Sequence, residues 1–86
     1  MRWYIFRSRY GEHPTHVMEA YRELRVDTVA EYIGRKLGRP VDIVRDDNKG
    51  RPVVVPGHTL VYQVGREAKC CPTRILTFKV KKQAKD

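Results

Sequence analysis

The strongest constraint on the fold is the strict alternation in ILTFKVKK, residues 75–82. Leu76, Phe78 and Val80 are apolar, and each residue between them is Thr or Lys. Side chains of a strand point alternately to its two faces, so this pattern predicts a strand with one face in a core and one in water. The face in water would carry a row of lysines.

The chain of 86 residues is expected to form one domain, residues 1–86, with a frayed tail at 83–86. Its 41% hydrophobic and 33% charged residues are typical of a folded, soluble domain. The longest apolar runs, such as residues 53–55, are far shorter than the ~20 residues of a membrane-spanning helix. The N-terminal stretch MRWYIFRSR contains no small-residue cleavage site for secretion. Together these features predict a cytoplasmic protein without a membrane partner.

Two segments near the N-terminus are predicted to pair as strands. Residues 2–8, RWYIFRS, are apolar on both faces, which is typical of a central strand. The Gly and Pro of YGEHP mark a turn. Residues 15–24 fit either a helix or a strand, and the short turn before them favours a strand that pairs with the first.

Residues from about 27 to 38 are predicted to form a helix. Asp27 is a suitable N-cap and Gly38 a suitable C-terminal stop. The apolar residues recur at helical spacing and form one stripe, which consists of Val26, Val29, Ala30, Ile33 and Leu37. Gly34 lies inside this helix, where close packing explains it better than a phosphate-binding loop does.

The second half of the chain is predicted to contain strands at residues 41–46 and 59–64. Between them lie the polar turn DDNKG and the proline-bracketed stretch RPVVVP, which is an edge strand or an extended loop. Residues 65–73 are predicted to be a basic loop before the last strand. The fold class is then α+β, a single small domain with a mostly antiparallel sheet of four to five strands and one helix packed on one face.

Catalytic and metal-binding patterns are weak. The sequence contains no G-x-S-x-G, P-loop or H-E-x-x-H motif. The three histidines, His13, His16 and His58, fall in predicted turns, where solvated surface histidines are the commoner outcome. Cys70 and Cys71 are adjacent, which disfavours a disulfide between them and suits a metal poorly. We therefore predict no enzymatic activity, no metal and no cofactor.

The charge of the chain is strongly basic and uneven. The net charge is +8, and residues 44–86 hold ten Lys and Arg against four Asp and Glu. Such a distribution attracts nucleic acid or an acidic protein surface. If the first and last strands are neighbours, their cations join into one surface that is able to contact phosphates. This surface, the basic stripe, consists of Arg7, Arg9, Arg66, Lys69, Arg74, Lys79, Lys81 and Lys82.

Aromatic residues adjoin the basic stripe. Tyr10 follows Arg9, and aromatic side chains beside a basic surface are able to stack on bases. Trp3, Tyr4 and Phe6 are instead predicted to lie in the core, because large aromatic residues supply most of a small core. Binding to a membrane surface is disfavoured, since the cations lie on predicted strands and loops rather than on an amphipathic helix.

Residues 30–66 resemble a family of small proteins of archaeal viruses, phages and plasmids that includes the anti-CRISPR ring nucleases. The matching features are the helix end AEYIGRKLG, the strand residues Val41 and Arg45, and the strand PGHTLVYQV followed by Arg66. The catalytic His of that family precedes the helix in a Gly-His pair, where this chain has Val26 and Asp27. No nuclease role therefore carries over. The resemblance implies an α+β domain, often dimeric, that comes from a mobile element and acts by binding.

Two functional hypotheses follow. The first is a non-enzymatic binding module whose basic stripe engages nucleic acid or a nucleoprotein complex. The alternative is a virus- or plasmid-encoded inhibitor, anti-CRISPR-like, that docks on an acidic surface of a host protein complex. The second hypothesis would place the protein in the host cytoplasm, and a homodimer is compatible with both.

Overall fold

The computed structural model describes residues 2–20, 23–64, 67–70 and 74–81. Its elements in chain order are β1 (Arg2–Ser8), β2 (His16–Ala20), β3 (Leu24–Arg25), α1 (Val26–Leu37), β4 (Val41–Asp46), β5 (Pro52–Val54), β6 (Leu60–Val64), β7 (Glu67–Cys70), β8 (Arg74–Ile75) and β9 (Thr77–Val80). No helix in these ranges is long and apolar enough to cross a membrane. The predicted frayed tail at 83–86 lies outside the described residues.

The strands join in the order β3-β6-β7-β1-β9-β4-β5, while β2 also pairs with β1 and β8 with β7. Six of these pairings are antiparallel, and the two parallel ones both involve β1. The predicted α+β class, with one helix and a mostly antiparallel sheet, is confirmed. Because β1 has three partner strands, its predicted central position is confirmed as well. The segment 15–24 contains a strand and not a helix, since β2 pairs with β1 antiparallel and in register from Phe6↔His16 to Arg2↔Ala20.

The start of α1 differs from the prediction. The helix begins at Val26, and the N-cap position is occupied by Arg25, which makes no side-chain capping bond. The backbone N–H groups of Val26 and Asp27 instead donate to the carbonyls of Thr59 and Gly57, at 3.0 and 2.9 Å. The loop before β6 therefore satisfies the free donors of the first turn, so a capping side chain is not required there. Asp27 lies inside the first turn, where its carboxylate accepts the N–H of Thr28 at 2.7 Å.

The end of α1 agrees with the prediction. Gly38 has a φ of 69°, the left-handed conformation that favours glycine, and its backbone N–H bonds back to the carbonyl of Gly34. A Cβ atom on Gly34 would lie 3.3 Å from the carbonyl oxygen of Arg39, so the chain passes tightly over the helix at this point. This supports the packing explanation of Gly34.

The turn between β4 and β5 is built around Asp47. Its carboxylate accepts the backbone N–H groups of Lys49 and Arg51, at 2.8 and 2.9 Å, and the Nε–H of Arg51 at 3.2 Å. These hydrogen bonds, led by that from the Arg51 backbone, lower the pKa of Asp47 below its usual value. The turn role predicted for Asp47 is confirmed. The strand predicted at residues 41–46 and the edge position predicted for Pro52–Val54 are confirmed as well.

The core lies between the sheet and α1, which packs against β3 and β4. Leu76 and Phe78 are buried in it, and Val80 packs against it, as the alternation predicts. The last strand is divided at Leu76 into β8 and β9. The other buried members of the cluster are Tyr4, Phe6, Met18, Leu24, Val26, Val29, Ile33, Val41, Ile43, Val55 and Val61.

Three predictions were wrong in detail. Residues 67–70 form strand β7 rather than part of a loop, because their backbone pairs with β6 although the sequence EAKC contains no large apolar residue. Trp3 is 48% exposed, because strand geometry turns it away from the face that Tyr4 and Phe6 bury in the core. His16 lies in β2 and not in a turn, and it is half-buried.

Candidate nucleic-acid interface

The first and last strands of the domain are neighbours. Arg7 pairs with Thr77 and Ser8 with Phe78 in a parallel ladder. The ladder continues past β1, since the backbone N–H of Arg9 donates to the carbonyl of Phe78 at 2.8 Å. The cations of β1 and β9 were predicted to join into one surface if the two strands are neighbours, and the strands are neighbours.

A groove lies beside β9. It has a volume of about 510 Å³ and is lined by Tyr10, Asp42, Lys79, Val80 and Lys81. We call it the β9 groove. Strand β4 forms its other side, because Asp42 is the cross-strand partner of Lys79. Two lysines and one exposed tyrosine thus meet in one concavity.

The two lysines of the β9 groove differ in their electrostatic surroundings. The ammonium group of Lys81 lies 3.6 Å from Asp42 Oδ1, and its side chain is 52% exposed. Lys79 is half-buried and makes no ion pair with any residue in the described ranges. Lys79 is consequently the cation of the groove whose charge is least compensated from within the protein.

The Arg9 side chain stabilises the fold. Its guanidinium bonds the carboxylate of Asp46 and donates to the carbonyl of Gly50 at 2.9 Å, and only 20% of its side chain is exposed. It thereby ties the turn after β1 to the β4–β5 hairpin. The same guanidinium carbon lies 5.9 Å from the centre of the Tyr10 ring, so Arg9 also supports the aromatic side of the groove.

The rest of the basic stripe is spread over several positions. Arg7 is exposed on β1. Lys69 and Arg74 lie in β7 and β8, which pair with each other, and β7 also pairs with β1 through Ile5↔Glu67. Arg66 and Lys82 lie outside the described residues. The sequence pointed to Lys79, Lys81 and Tyr10 but missed Asp42, because no local pattern indicates which residue of β4 faces which residue of β9.

His16 and His13 lie at the end of the core. His16 Nε2 and Ser8 Oγ are both buried and have no hydrogen-bond partner in the described part of the chain, so they do not bond each other. The rings of His16 and His13 lie 5.5 and 6.3 Å from that of Phe78. Burial, followed by the positive charge of Lys36 and the proximity of His13, lowers the pKa of His16. This arrangement favours a neutral imidazole at this position.

Within the described ranges, no three His, Cys, Asp or Glu side chains come together as a group able to hold a metal. Comparisons with protein-family models, with curated proteins and with solved structures find no match for this chain. The geometry of the β9 groove is therefore the main guide to function.

Proposed function

We propose that the protein is a non-enzymatic binding module that engages nucleic acid, free or within a nucleoprotein complex, through the β9 groove and the cations around it. The observation that carries the proposal is the pairing of β1 with β9. This pairing gathers Tyr10, Lys79 and Lys81 around one concavity, with Arg7 on the adjoining strand.

The chemistry of the groove suits phosphate. Lys79 and Lys81 are two residues apart on an extended chain, so their Cα atoms are separated by about 6.6 Å along the strand. Lysine ammonium groups at such a separation are able to contact different phosphates, each contact releasing a condensed counterion. The net charge of +8 adds a long-range attraction that raises the rate of encounter with a polyanion.

The rigidity of the groove also favours binding. Phe78 lies between Lys79 and Thr77 in sequence and is fully buried, which fixes the backbone from which Lys79 projects. Less order therefore has to be imposed on the groove when a ligand binds. Asp42 opposes binding, because its carboxylate lies in the same groove and partly neutralises Lys81.

The proposal is tested by measuring the affinity of the parent protein for mixed-sequence DNA and RNA across a salt series. We expect binding that weakens with salt, with a log–log slope of about −0.9 per phosphate contact on duplex DNA and about −0.7 on a single strand. Lys79→Ala should reduce both the affinity and the slope. Lys36→Ala removes an equal charge from α1, away from the groove, and should have the smaller effect. Absence of binding at low salt would reject the proposal.

Asp42→Asn gives a test in the opposite direction. Removal of the carboxylate frees Lys81 and eliminates a repulsive charge from the groove, so the affinity should rise by roughly two- to fivefold, the equivalent of one exposed ion pair. Glu23→Gln, at an exposed position outside the groove, is the charge-matched control. If both substitutions increase the affinity equally, net charge rather than the groove governs binding.

A second candidate function is supported by a different part of the surface. Trp3, Val17, Tyr62 and Ile75 are large apolar residues that are about half exposed. Exposed aromatic and aliphatic side chains of this kind are typical of protein-docking surfaces. They support, as a second candidate function, an inhibitor that docks on a host protein complex. Capture of a protein partner from host lysate that persists after nuclease treatment would support this function, whereas capture that is lost after nuclease treatment would support nucleic-acid binding.

A further inference from the structure

The aromatic residue of the β9 groove indicates which form of nucleic acid the groove accepts. Tyr10 is 60% exposed, the largest exposure among the large apolar and aromatic residues of the described ranges. We propose that the β9 groove binds single-stranded nucleic acid, with the Tyr10 ring stacking on one base while Lys79 and Lys81 contact the flanking phosphates. This inference rests on the proposed function and specifies its ligand.

Tyr10 is held in place although its ring is exposed. It lies in a tight turn that is closed by a hydrogen bond from the Gly11 N–H to the Ser8 carbonyl, at 3.2 Å. Gly11 has a φ of 71°, which lets the chain turn at this point without strain. The Arg9 guanidinium lies 5.9 Å from the Tyr10 ring centre and is itself bonded to Asp46 and Gly50. An exposed aromatic ring that projects from a fixed backbone turn loses less conformational freedom when it stacks on a base.

The location of Tyr10 distinguishes it from the other exposed aromatic residues. Trp3 lies opposite an acidic residue, Glu19, in the β1–β2 ladder. Tyr62 lies on β6, which β7 and β1 separate from β9 in the sheet, a distance of about 14 Å at the usual strand spacing. Tyr10 is the aromatic residue that lines the groove of Lys79 and Lys81. Tyr62 has one lysine, Lys69, as its cross-strand partner, whereas Tyr10 lines a groove together with two. Stacking and two phosphate contacts are therefore available to the same short stretch of ligand at Tyr10.

A single strand fits these features better than a duplex does. The bases of a duplex are stacked on each other, so an aromatic ring reaches a base face only where the bases are unpaired. Duplex DNA is commonly read by a protruding helix or β-ribbon that enters its major groove. The β9 groove is a recess, and its aromatic residue belongs to its lining. A recess with a ring at its side accommodates a backbone and one splayed base.

The inference is tested with a labelled single strand of about 12 nucleotides and with the duplex of the same sequence, at one salt concentration. We expect the parent protein to bind the single strand more tightly. Tyr10→Leu should weaken binding of the single strand by roughly five- to hundredfold, as the loss of one stacked base does, and should change duplex binding little. Tyr10→Phe, which keeps the ring, should retain the single-strand affinity. Tyr62→Leu, which removes an exposed tyrosine outside the groove, is the matched control and should behave like the parent.

The outcomes separate this inference from the proposed function. Absence of binding to either ligand would reject the proposed function itself. Binding of the duplex as tightly as the single strand, or equal losses for Tyr10→Leu and Tyr62→Leu, would overturn only the inference. The thermal midpoints of the variants should match that of the parent, because both rings are largely outside the core. Any variant with a lowered midpoint is to be assayed at a temperature at which it is fully folded.

Discussion

The two faces of the β1–β9 pair differ in what their residues do, although the same strands supply both. On one face Phe6, Leu76 and Phe78 are buried, each exposed by 1% or less. On the other face, Arg7 pairs with Thr77, and Lys79 borders the β9 groove. Residues one position apart in sequence therefore belong either to the core or to the proposed binding surface. A shift of register by a single residue would exchange the two sets, which is why the core face fixes the placement of the basic face.

The outer face itself contains cations of two kinds. Arg9 is largely buried and is bonded to Asp46 and Gly50, residues that lie 37 and 41 positions further along the chain. Lys79 has no ion-pair partner in the described ranges. Two side chains of the same charge therefore differ in role. Arg9 connects distant segments of the chain, whereas Lys79 is proposed to bind a ligand.

The largest expected effect is that of Phe78→Ala. Truncation of a buried Phe costs about 3–5 kcal/mol, because apolar burial is lost and a cavity remains. The free energy of unfolding of a small domain is often only about 5–10 kcal/mol, so this variant should be close to unfolding at room temperature. Denaturant titration followed by circular dichroism measures the difference. Phe78→Leu, which fills most of the volume, should be affected less, and a near-parental Phe78→Ala would show that this face is not the core.

Arg9→Ala should have an intermediate effect on stability. It removes an ion pair with Asp46 and a hydrogen bond to Gly50 that a half-buried guanidinium makes, and we expect a loss of about 1–2 kcal/mol. Arg39→Ala removes the same side chain from an exposed position after α1 and is the control, with an expected change below about 0.5 kcal/mol. The two thermal midpoints provide the measurement. Equal midpoints would contradict the structural role assigned to Arg9.

Much of the fold was accessible from local sequence patterns. The alternation of Leu76, Phe78 and Val80 predicted a strand and its buried face, and Gly38 predicted the end of α1. These features depend on residues a few positions apart, which is the range that periodicity and capping rules cover. The start of α1 depends instead on carbonyls of Gly57 and Thr59, about thirty residues away. No local rule contains that information, so Asp27 was assigned the wrong capping position.

The candidate site was predictable in its members but not in its arrangement. The sequence indicated that Lys79 and Lys81 would face away from the core, and that Tyr10 would lie near the cations of β1. It did not show that Asp42 pairs in register with Lys79 and forms an ion pair with Lys81, nor that Asp46 engages Arg9. These contacts depend on the order of strands in the sheet. Strand order is a property of the whole fold, and several orders are compatible with the same set of strands.

Acidification should reduce stability through His16, at the margin of the core face. Since the pKa of His16 is lower in the folded state than its usual value of about 6.5, the unfolded chain binds more protons as the pH falls below 7. The stability contributed by the neutral imidazole is therefore complete above about pH 6.5 and declines as the pH falls from there toward the folded-state pKa. Thermal midpoints between pH 7.5 and 5.5 should fall for the parent protein by more than for His16→Gln. His58→Gln, at an exposed turn position, is the control and should follow the parent. If the thermal midpoints of the parent and of His16→Gln depend on pH in the same way, His16 is not the cause of the loss of stability at low pH.

The smallest effect on stability should come from the double variant Lys79→Ala/Lys81→Ala. Lys81 contributes only an exposed ion pair with Asp42 and Lys79 none within the described ranges, so the free energy of unfolding should change by less than about 0.5 kcal/mol. Its effect on binding should nevertheless be large, because two phosphate contacts are lost. On a single strand the magnitude of the log–log salt slope should fall by about 1.4, and on duplex DNA by about 1.8. Lys36→Ala/Lys49→Ala removes the same charge from α1 and from the turn after β4, so it separates the groove from net charge. If Lys79→Ala/Lys81→Ala folds, binds and responds to salt as this control does, the two lysines of the groove are only a solvated face and do not contact phosphates.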